Sequence, residues 1–429
     1  MRARFTALSV IIPLYVLGFV AGAVALTALR AVFGSGGTDW MPFYSAGTMI
    51  RTGHGRELFD TAAQTATQHR LFPLLWGTEN ASPLPAFVLP AFVAYVFAPL
   101  SFLSFSTSYL AWLAMNLSLL AGLLYAVRRY LVGLSRSVRT CWIAGVALAS
   151  PIVMDVFYGQ IDLFVLACLL ACLTFLSWRK PAVAGAILAL AVAKPQFVLS
   201  PLLLLLLKKE WRALASFGLV AAALLGVPLA LISPHTLADQ MSLLVSYPST
   251  STDYAVNARY MVNLRGTVTS IDGSAGVWEW ALPLAACSMV ALVVASRRWA
   301  RLPSSDPQAW ALALALPLIW SPHVHYQSLV FLLAAGTMYV RALSEAGVPP
   351  RPSWIALVQL SVTGLWLVSH FYGVGLVSIL VIGAFVAFAY VWPRPKAGAL
   401  ACPDRVAQDE VPFALWKGGR GVGQCPESR

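Results

Sequence analysis

A carboxylate, a lysine, an arginine and two histidines interrupt sequence that is otherwise apolar or aromatic. Asp39 stands in Gly36-Gly37-Thr38-Asp39-Trp40, with Phe43 and Tyr44 close behind. A partly buried carboxylate suits the removal of a proton from a hydroxyl as that hydroxyl attacks an electrophilic carbon. The plainer reading is a helix cap or a loop carboxylate bonded to nearby backbone. Lys194, in Ala193-Lys194-Pro195-Gln196, and Arg265, in Asn263-Leu264-Arg265-Gly266, are candidate partners for a phosphate. Arginine offers a bidentate fork and lysine a point charge, and either neutralises a departing phosphate. Lys194 breaks an apolar run, where an unpaired charge is costly, whereas Arg265 also reads as a solvated loop residue. His323 and His325 sit in Ser321-Pro322-His323-Val324-His325. With no carboxylate or cysteine beside them they make a poor metal site, but histidine donates to a phosphate oxygen in either protonation state. Their alternative is an interfacial turn. Gln160 and Asp162, in Gly159-Gln160-Ile161-Asp162, are candidates for binding a sugar, or else simply part of a tight turn favoured by the glycine.

Helices in a membrane must position these groups. The chain is 59% hydrophobic and 11% charged, against about 25% charged in soluble domains. This deficit predicts an all-α polytopic membrane protein. Apolar stretches place spans near 7–29, 107–127, 140–157, 161–178, 182–193, 197–207, 211–232, 277–296, 308–320, 326–341, 354–372 and 374–392, twelve crossings in all. The first is too long for a signal-peptide core and reads as an uncleaved helix. The stretch 83–105 is also apolar, and charge decides its course. If it re-enters or lies at the interface, most of the 29 Lys and Arg, but fewer than half of the 17 Asp and Glu, fall on one side with Arg2 and Arg4. That is the positive-inside pattern, with both termini cytoplasmic. It explains the net charge of +12 without nucleic acid. Asp39, Asp155, Asp162, Lys194, Arg265, Glu279, His323 and His325 then all gather toward the outer face.

The halves 182–193 and 197–207 are each too short for a span, with Lys194-Pro195 between them. They read as a broken helix pair lining a polar cavity, or as one kinked span with a snorkelling lysine. Long outer loops run over 30–82 and 233–276. In the first, Asp60 is placed to cap a short helix ending near Phe72, with Phe59, Ala63, Ala66 and Phe72 as a weak apolar face for the membrane surface. Residues 1–392 form one transmembrane domain, and the Pro/Gly-rich tail 393–429 is expected to be disordered and cytoplasmic. The six cysteines show no zinc or disulfide spacing, and Asn80-Ala81-Ser82 is a bare glycosylation sequon.

Taken in order, these motifs resemble glycosyltransferase family 87, the polyprenol-phosphate-mannose-dependent α-mannosyltransferases of GT-C fold. The resemblance runs through Thr38-Asp39-Trp40, Tyr44-Ser45-Ala46-Gly47, Leu58-Phe59-Asp60 and Ala98-Pro99-Leu100. It continues through Tyr158-Gly159-Gln160-Ile161-Asp162, Ala193-Lys194-Pro195-Gln196, Asn263-Leu264-Arg265-Gly266 and Ser321-Pro322-His323. It implies an inverting transferase at the outer face of the plasma (inner) membrane. This would move a hexose, usually mannose, from a polyprenyl phosphosugar to a glycolipid or polysaccharide hydroxyl, with no metal or other cofactor. By the same resemblance Asp39 is the general base. Lys194, Arg265 and His323 bind the donor phosphate, and Tyr44, Gln160, Asp162, Gln196 and His325 meet sugar or acceptor. Family members often carry Asp-Phe or Asp-Tyr where this chain has Asp39-Trp40, and some transfer arabinofuranose. The competing class is a transporter or lipid-linked sugar flippase, which often shows inverted repeats and charges near the midplane. This sequence shows no repeat, and its charges gather toward one face.

Overall fold

The computed structural model describes residues 39–72, 86–233, 235–250, 261–271, 277–321, 323–348 and 377–393, with a few isolated positions besides. Nearly all of the expected span 7–29, the sequon at 80–82, most of 354–372 and the tail beyond 393 lie outside the described residues.

Helix α1, Trp40–Arg51, begins directly after Asp39, and α2 spans Thr61–Leu71. Asp60 caps α2, accepting from the amides of Ala62 at 2.8 Å and Ala63 at 3.0 Å. Of the expected apolar face, Phe59 and Phe72 at the two ends of α2 are buried in the core, Ala63 is half-buried and Ala66 is not covered. The helix itself buries Gln64, Thr67 and Gln68. In Gln64, Nε2 donates to the carbonyls of Leu58 (2.7 Å) and Phe87 (3.1 Å), and Oε1 accepts from the Phe87 amide at 2.7 Å. A buried amide with its partners met on backbone is cheap to bury, so α2 clamps the chain near Phe87 through a polar face.

The described part of 83–105 contains α3, Ala91–Phe97, and a 3-10 turn, Pro99–Phe102, each too short to cross a bilayer. Gly47 lets α1 close on α3, since a Cβ there would lie 2.7 Å from the Phe97 carbonyl oxygen. Helix α4, Phe105–Tyr130, starts at its Ser104 cap. Then come α5, Arg136–Ala147, and α6, Ser150–Tyr158, bent by 42° where they meet. Helix α7 is Asp162–Ser177 and α8 is Pro181–Leu190. The 3-10 turns Ala191–Ala193 and Pro195–Phe197 lead to α9, Leu199–Leu207. The chain continues through α10, Trp211–Ile232, α11, His235–Thr250, α12, Leu264–Ile271, and α13, Val277–Trp299. It ends with α14, Pro307–Trp320, a 3-10 turn Tyr326–Leu329, α15, Val330–Glu345, and α16, Val377–Tyr390.

The core centres on α14, which is buried on every side from Gln308 to Ile319 and packs against α9, α13, α15 and α16. A helix apolar all round has no face for water. Its start is fixed by the Asp306 cap and Pro307. Helix α8 lies between α7 and α10. At Gly185 a Cβ would fall 1.9 Å from the Ala213 carbonyl oxygen, so any side chain there forces α8 and α10 apart.

By length and composition, four of the described helical stretches can cross a membrane: Phe105–Tyr130, Trp211–Ile232, Trp278–Trp299 and Tyr326–Glu345. The bent pair α5–α6 makes a fifth. The first three bury only 17% of their most apolar window, leaving residues such as Leu219, Leu231 and Met289 outward, a surface suited to lipid rather than water. The remaining apolar helices among those described, at 162–177, 181–193, 195–207, 307–320 and 377–390, are shorter. Of the twelve expected crossings, four to five are thus met by helices long and apolar enough among the described residues, and 182–193 and 197–207 are short, as expected from the break at Lys194-Pro195.

The break at Lys194 is the most consequential. Proline lacks an amide proton and disfavours helical geometry in the residue before it, and Lys194 adopts φ −128° and ψ 83°. The freed backbone is satisfied in 3-10 fashion, Lys194 N donating to Ala191 O and Phe197 N to Lys194 O, both at 3.0 Å. Lys194 does not snorkel: it is nearly buried and ion-paired with Asp162.

Candidate functional site

Helix α4 builds the platform. Tyr109, Trp112 and Asn116 share one face, as residues three and four apart do, and each donates to a carbonyl at the end of α6. Tyr109 Oη reaches Phe157 O at 2.6 Å, Trp112 Nε1 reaches Gly159 O at 2.9 Å, and Asn116 Nδ2 reaches Gln160 O at 3.4 Å. These donors satisfy carbonyls that a helix end leaves without partners. Gly159 makes the turn possible, with φ of 79°, a region other residues enter only at a cost. A Cβ there would also stand 3.0 Å from Trp40 Cβ. Trp40 is fully buried, stacks on Trp112 at 5.3 Å and meets the edge of Phe97 at 5.2 Å. The residue after Asp39 thus anchors the start of α1 against the turn that carries Gln160.

Asp39 occupies the capping position of α1, yet its side chain makes no capping hydrogen bond. Its Oδ2 accepts from Gln160 Nε2 at 2.7 Å. Gln160 Oε1 accepts from Lys194 Nζ at 3.3 Å, and Lys194 pairs with Asp162. Asp162 Oδ2 accepts from Ser328 Oγ at 2.8 Å. Asp155, fully buried, caps α7 from the preceding helix, with its two oxygens accepting from the amides of Asp162 and Leu163 at 3.1 Å each. A continuous polar chain therefore joins Asp39 on α1, the α6–α7 turn, the α8–α9 break and the turn before α15.

The second half of the site lies on two paired segments. Met261 and His325 form an antiparallel bridge, and Val262 N donates to Val324 O at 2.9 Å. Asn263 Nδ2 donates to Ser321 O at 2.5 Å. This pairing sets Arg265, buried at the start of α12 with its guanidinium 4.5 Å over the Trp280 ring, near the histidines. His323 and His325 meet edge to face at 4.6 Å.

Burial raises the Asp39 pKa above the usual carboxylate value, opposed by the Gln160 hydrogen bond and the Lys194 charge and reinforced by Asp162. Burial likewise holds His323 well below the usual histidine value, and the positive fields of His325, Arg265 and Lys194 push the same way. His323 is thus a neutral donor at neutral pH. Burial also lowers Arg265, which still keeps its charge. Two cations acting on one histidine make a region of positive potential that favours an anion.

The model of glycosyltransferase family 87 matches residues 87–322, more than half of the chain. The chain belongs to this family. No curated protein matches it. As a family 87 chain it is read as a transferase with a sugar donor and an acceptor. The matched stretch holds Gln160, Asp162, Lys194, Gln196 and Arg265 and stops one residue before His323. Asp39 precedes it and joins the site through Gln160.

The structure brings together Asp39, Gln160, Asp162 and Lys194, and places Arg265, His323 and His325 beside them. Gln196 lies close by, its backbone carbonyl accepting from Trp320 Nε1 at 3.4 Å. Tyr44 lies apart from the polar chain: its hydroxyl donates to Leu103 O at 2.9 Å and its ring packs on Phe72 and Phe105. Asp162 is fully buried and held by Lys194 and Ser328, which makes it a positioning group for the lysine. Ser328, Trp112 and the capping role of Asp155 escape sequence reasoning. The only local signal for them is Gly159, whose turn needs partners for its carbonyls.

Proposed function

We propose that this family 87 glycosyltransferase is an inverting hexosyltransferase at the outer face of the membrane. It moves mannose from a polyprenyl phosphosugar to an envelope glycolipid or polysaccharide hydroxyl. Asp39 takes the proton of the acceptor hydroxyl as its oxygen attacks the anomeric carbon. The bond from that carbon to the phosphate oxygen breaks, and Lys194, Arg265 and His323 take up the charge left on the polyprenyl phosphate. The observation that carries this reading is Asp39 itself, which leaves its helix end uncapped and gives its carboxylate to a side chain bonded to Lys194. The raised Asp39 pKa makes its carboxylate a stronger base than an exposed aspartate.

The test is transfer of radiolabelled sugar from polyprenyl phosphomannose to membrane lipids, wild type against Asp39→Asn. Transfer by the wild type, with a loss of about 100- to 10,000-fold in the variant and donor binding kept, supports the reading. Full activity in Asp39→Asn removes Asp39 as base, and no transfer from mannose, arabinose or glucose donors removes the donor class.

A further inference from the structure

We propose that Gln160 is the positioning residue of the base: its amide holds the Asp39 carboxylate off the end of α1, aimed as an acceptor, and ties it to the Lys194 ammonium. This rests on the reading of Asp39 as the base.

The geometry leaves the amide one orientation. A carboxylate at 2.7 Å accepts only, so the Gln160 NH2 faces Asp39, and an ammonium at 3.3 Å donates only, so the amide oxygen faces Lys194. Both ends of one planar group are thus assigned by the charges they meet. The backbone is held as firmly. Gln160 N donates to Asp155 O at 2.9 Å, its carbonyl accepts from Asn116, and Gly159 supplies the turn. A side chain locked at its backbone and at both ends of its amide suits positioning within the tolerance that catalysis demands. It also provides a physical link between the proposed phosphate site and the proposed base, so that Lys194 and Asp39 are held at a spacing set by one amide. Each end of the amide is thus engaged by a charged protein group, which leaves one N–H and one lone pair to spare.

The test uses full-length protein in detergent or liposomes, with Gln160→Met, which keeps length and drops the amide, beside Asp39→Asn. Positioning predicts a fall in kcat of about 100-fold for Gln160→Met with donor KM little changed. The acid limb of the kcat/KM profile moves to higher pH, because the lost hydrogen bond was holding the carboxyl down. A raised KM with an unmoved acid limb overturns the inference and returns Gln160 to sugar contact. Should Gln160→Met fail to purify folded, Gln160→Asn, whose amide is one methylene too short to span both partners, carries the same expectations. Asp39→Asn separates the two failures. Full activity there sinks the base itself, whereas an inactive Asp39→Asn beside an active, unshifted Gln160→Met sinks only this inference.

Discussion

Two aspartates begin consecutive helices, and they behave in opposite ways. Asp60 does what an aspartate at a helix start ordinarily does, giving one oxygen to two amides of α2. Asp39 stands at the same position of α1, declines the amides and bonds a glutamine 121 residues away. Two glutamines repeat the contrast. Gln64 meets the backbone of Leu58 and Phe87, while Gln160 lies between a carboxylate and an ammonium. Groups engaged with backbone hold the fold, and groups engaged with distant charged side chains are available for chemistry. The same residue types serve both ends, and only the partners separate them.

The largest effect should come from breaking that contrast at Asp39. Asp39→Asn is expected to lower transfer by about 100- to 10,000-fold while leaving the melting temperature close to wild type, because no capping bond is lost. Acidification should act the same way. Protonated Asp39 accepts no proton, and burial raises its pKa, so kcat/KM should fall at a pH above the ordinary carboxylate range. His323, held neutral, should add no second ionisation near neutrality. A profile with no acid limb above the ordinary carboxylate range would count against Asp39 as the base, and a second ionisation near neutrality would count against a neutral His323.

Next in size is Lys194→Met. It strands the Asp162 carboxylate in a fully buried place, a change that typically costs about 3–5 kcal/mol. The paired variant Lys194→Met/Asp162→Asn should recover much of that stability, read by thermal unfolding in detergent, and none of the transfer activity. Recovery of both would mean that the lysine serves only the fold.

Gly159→Ala is smaller. The positive φ costs roughly 1–2 kcal/mol for a residue with a Cβ, and that Cβ meets Trp40 at 3.0 Å. The neighbour that must yield is the residue after Asp39, so activity should fall further than stability. Equal losses would show that the turn and the start of α1 are not mechanically linked.

These contrasts mark what the sequence made legible. The break at Lys194-Pro195 was readable because proline and charge in an apolar run are local facts with local consequences. The Asp60 cap was readable for the same reason. The polar face that α2 buries was not readable, because the partners of Gln64 come from segments before and after the helix. The cap that Asp155 lends α7 hides in the preceding helix. Tyr44, drawn in by family resemblance, turned out to be bonded to Leu103. At Asp39 the residue type and the loop were legible, but its freedom from capping was not, because Gln160 approaches from another helix turn.

The smallest effect tests the other half of the contrast. Asp60→Ala removes a conventional cap and should cost roughly 1 kcal/mol, leaving transfer activity at the wild-type level. Asp60→Asn, which keeps an oxygen for the same two amides, should cost less. If Asp60→Ala instead lowered kcat as steeply as a change at Asp39, α2 would belong to the catalytic assembly, since Gln64 on that helix clamps Phe87, whose ring packs on Phe43 of α1. Transfer that survives at full rate while the melting temperature drops would assign Asp60 to the fold and leave Asp39 as the helix-start aspartate that serves the chemistry.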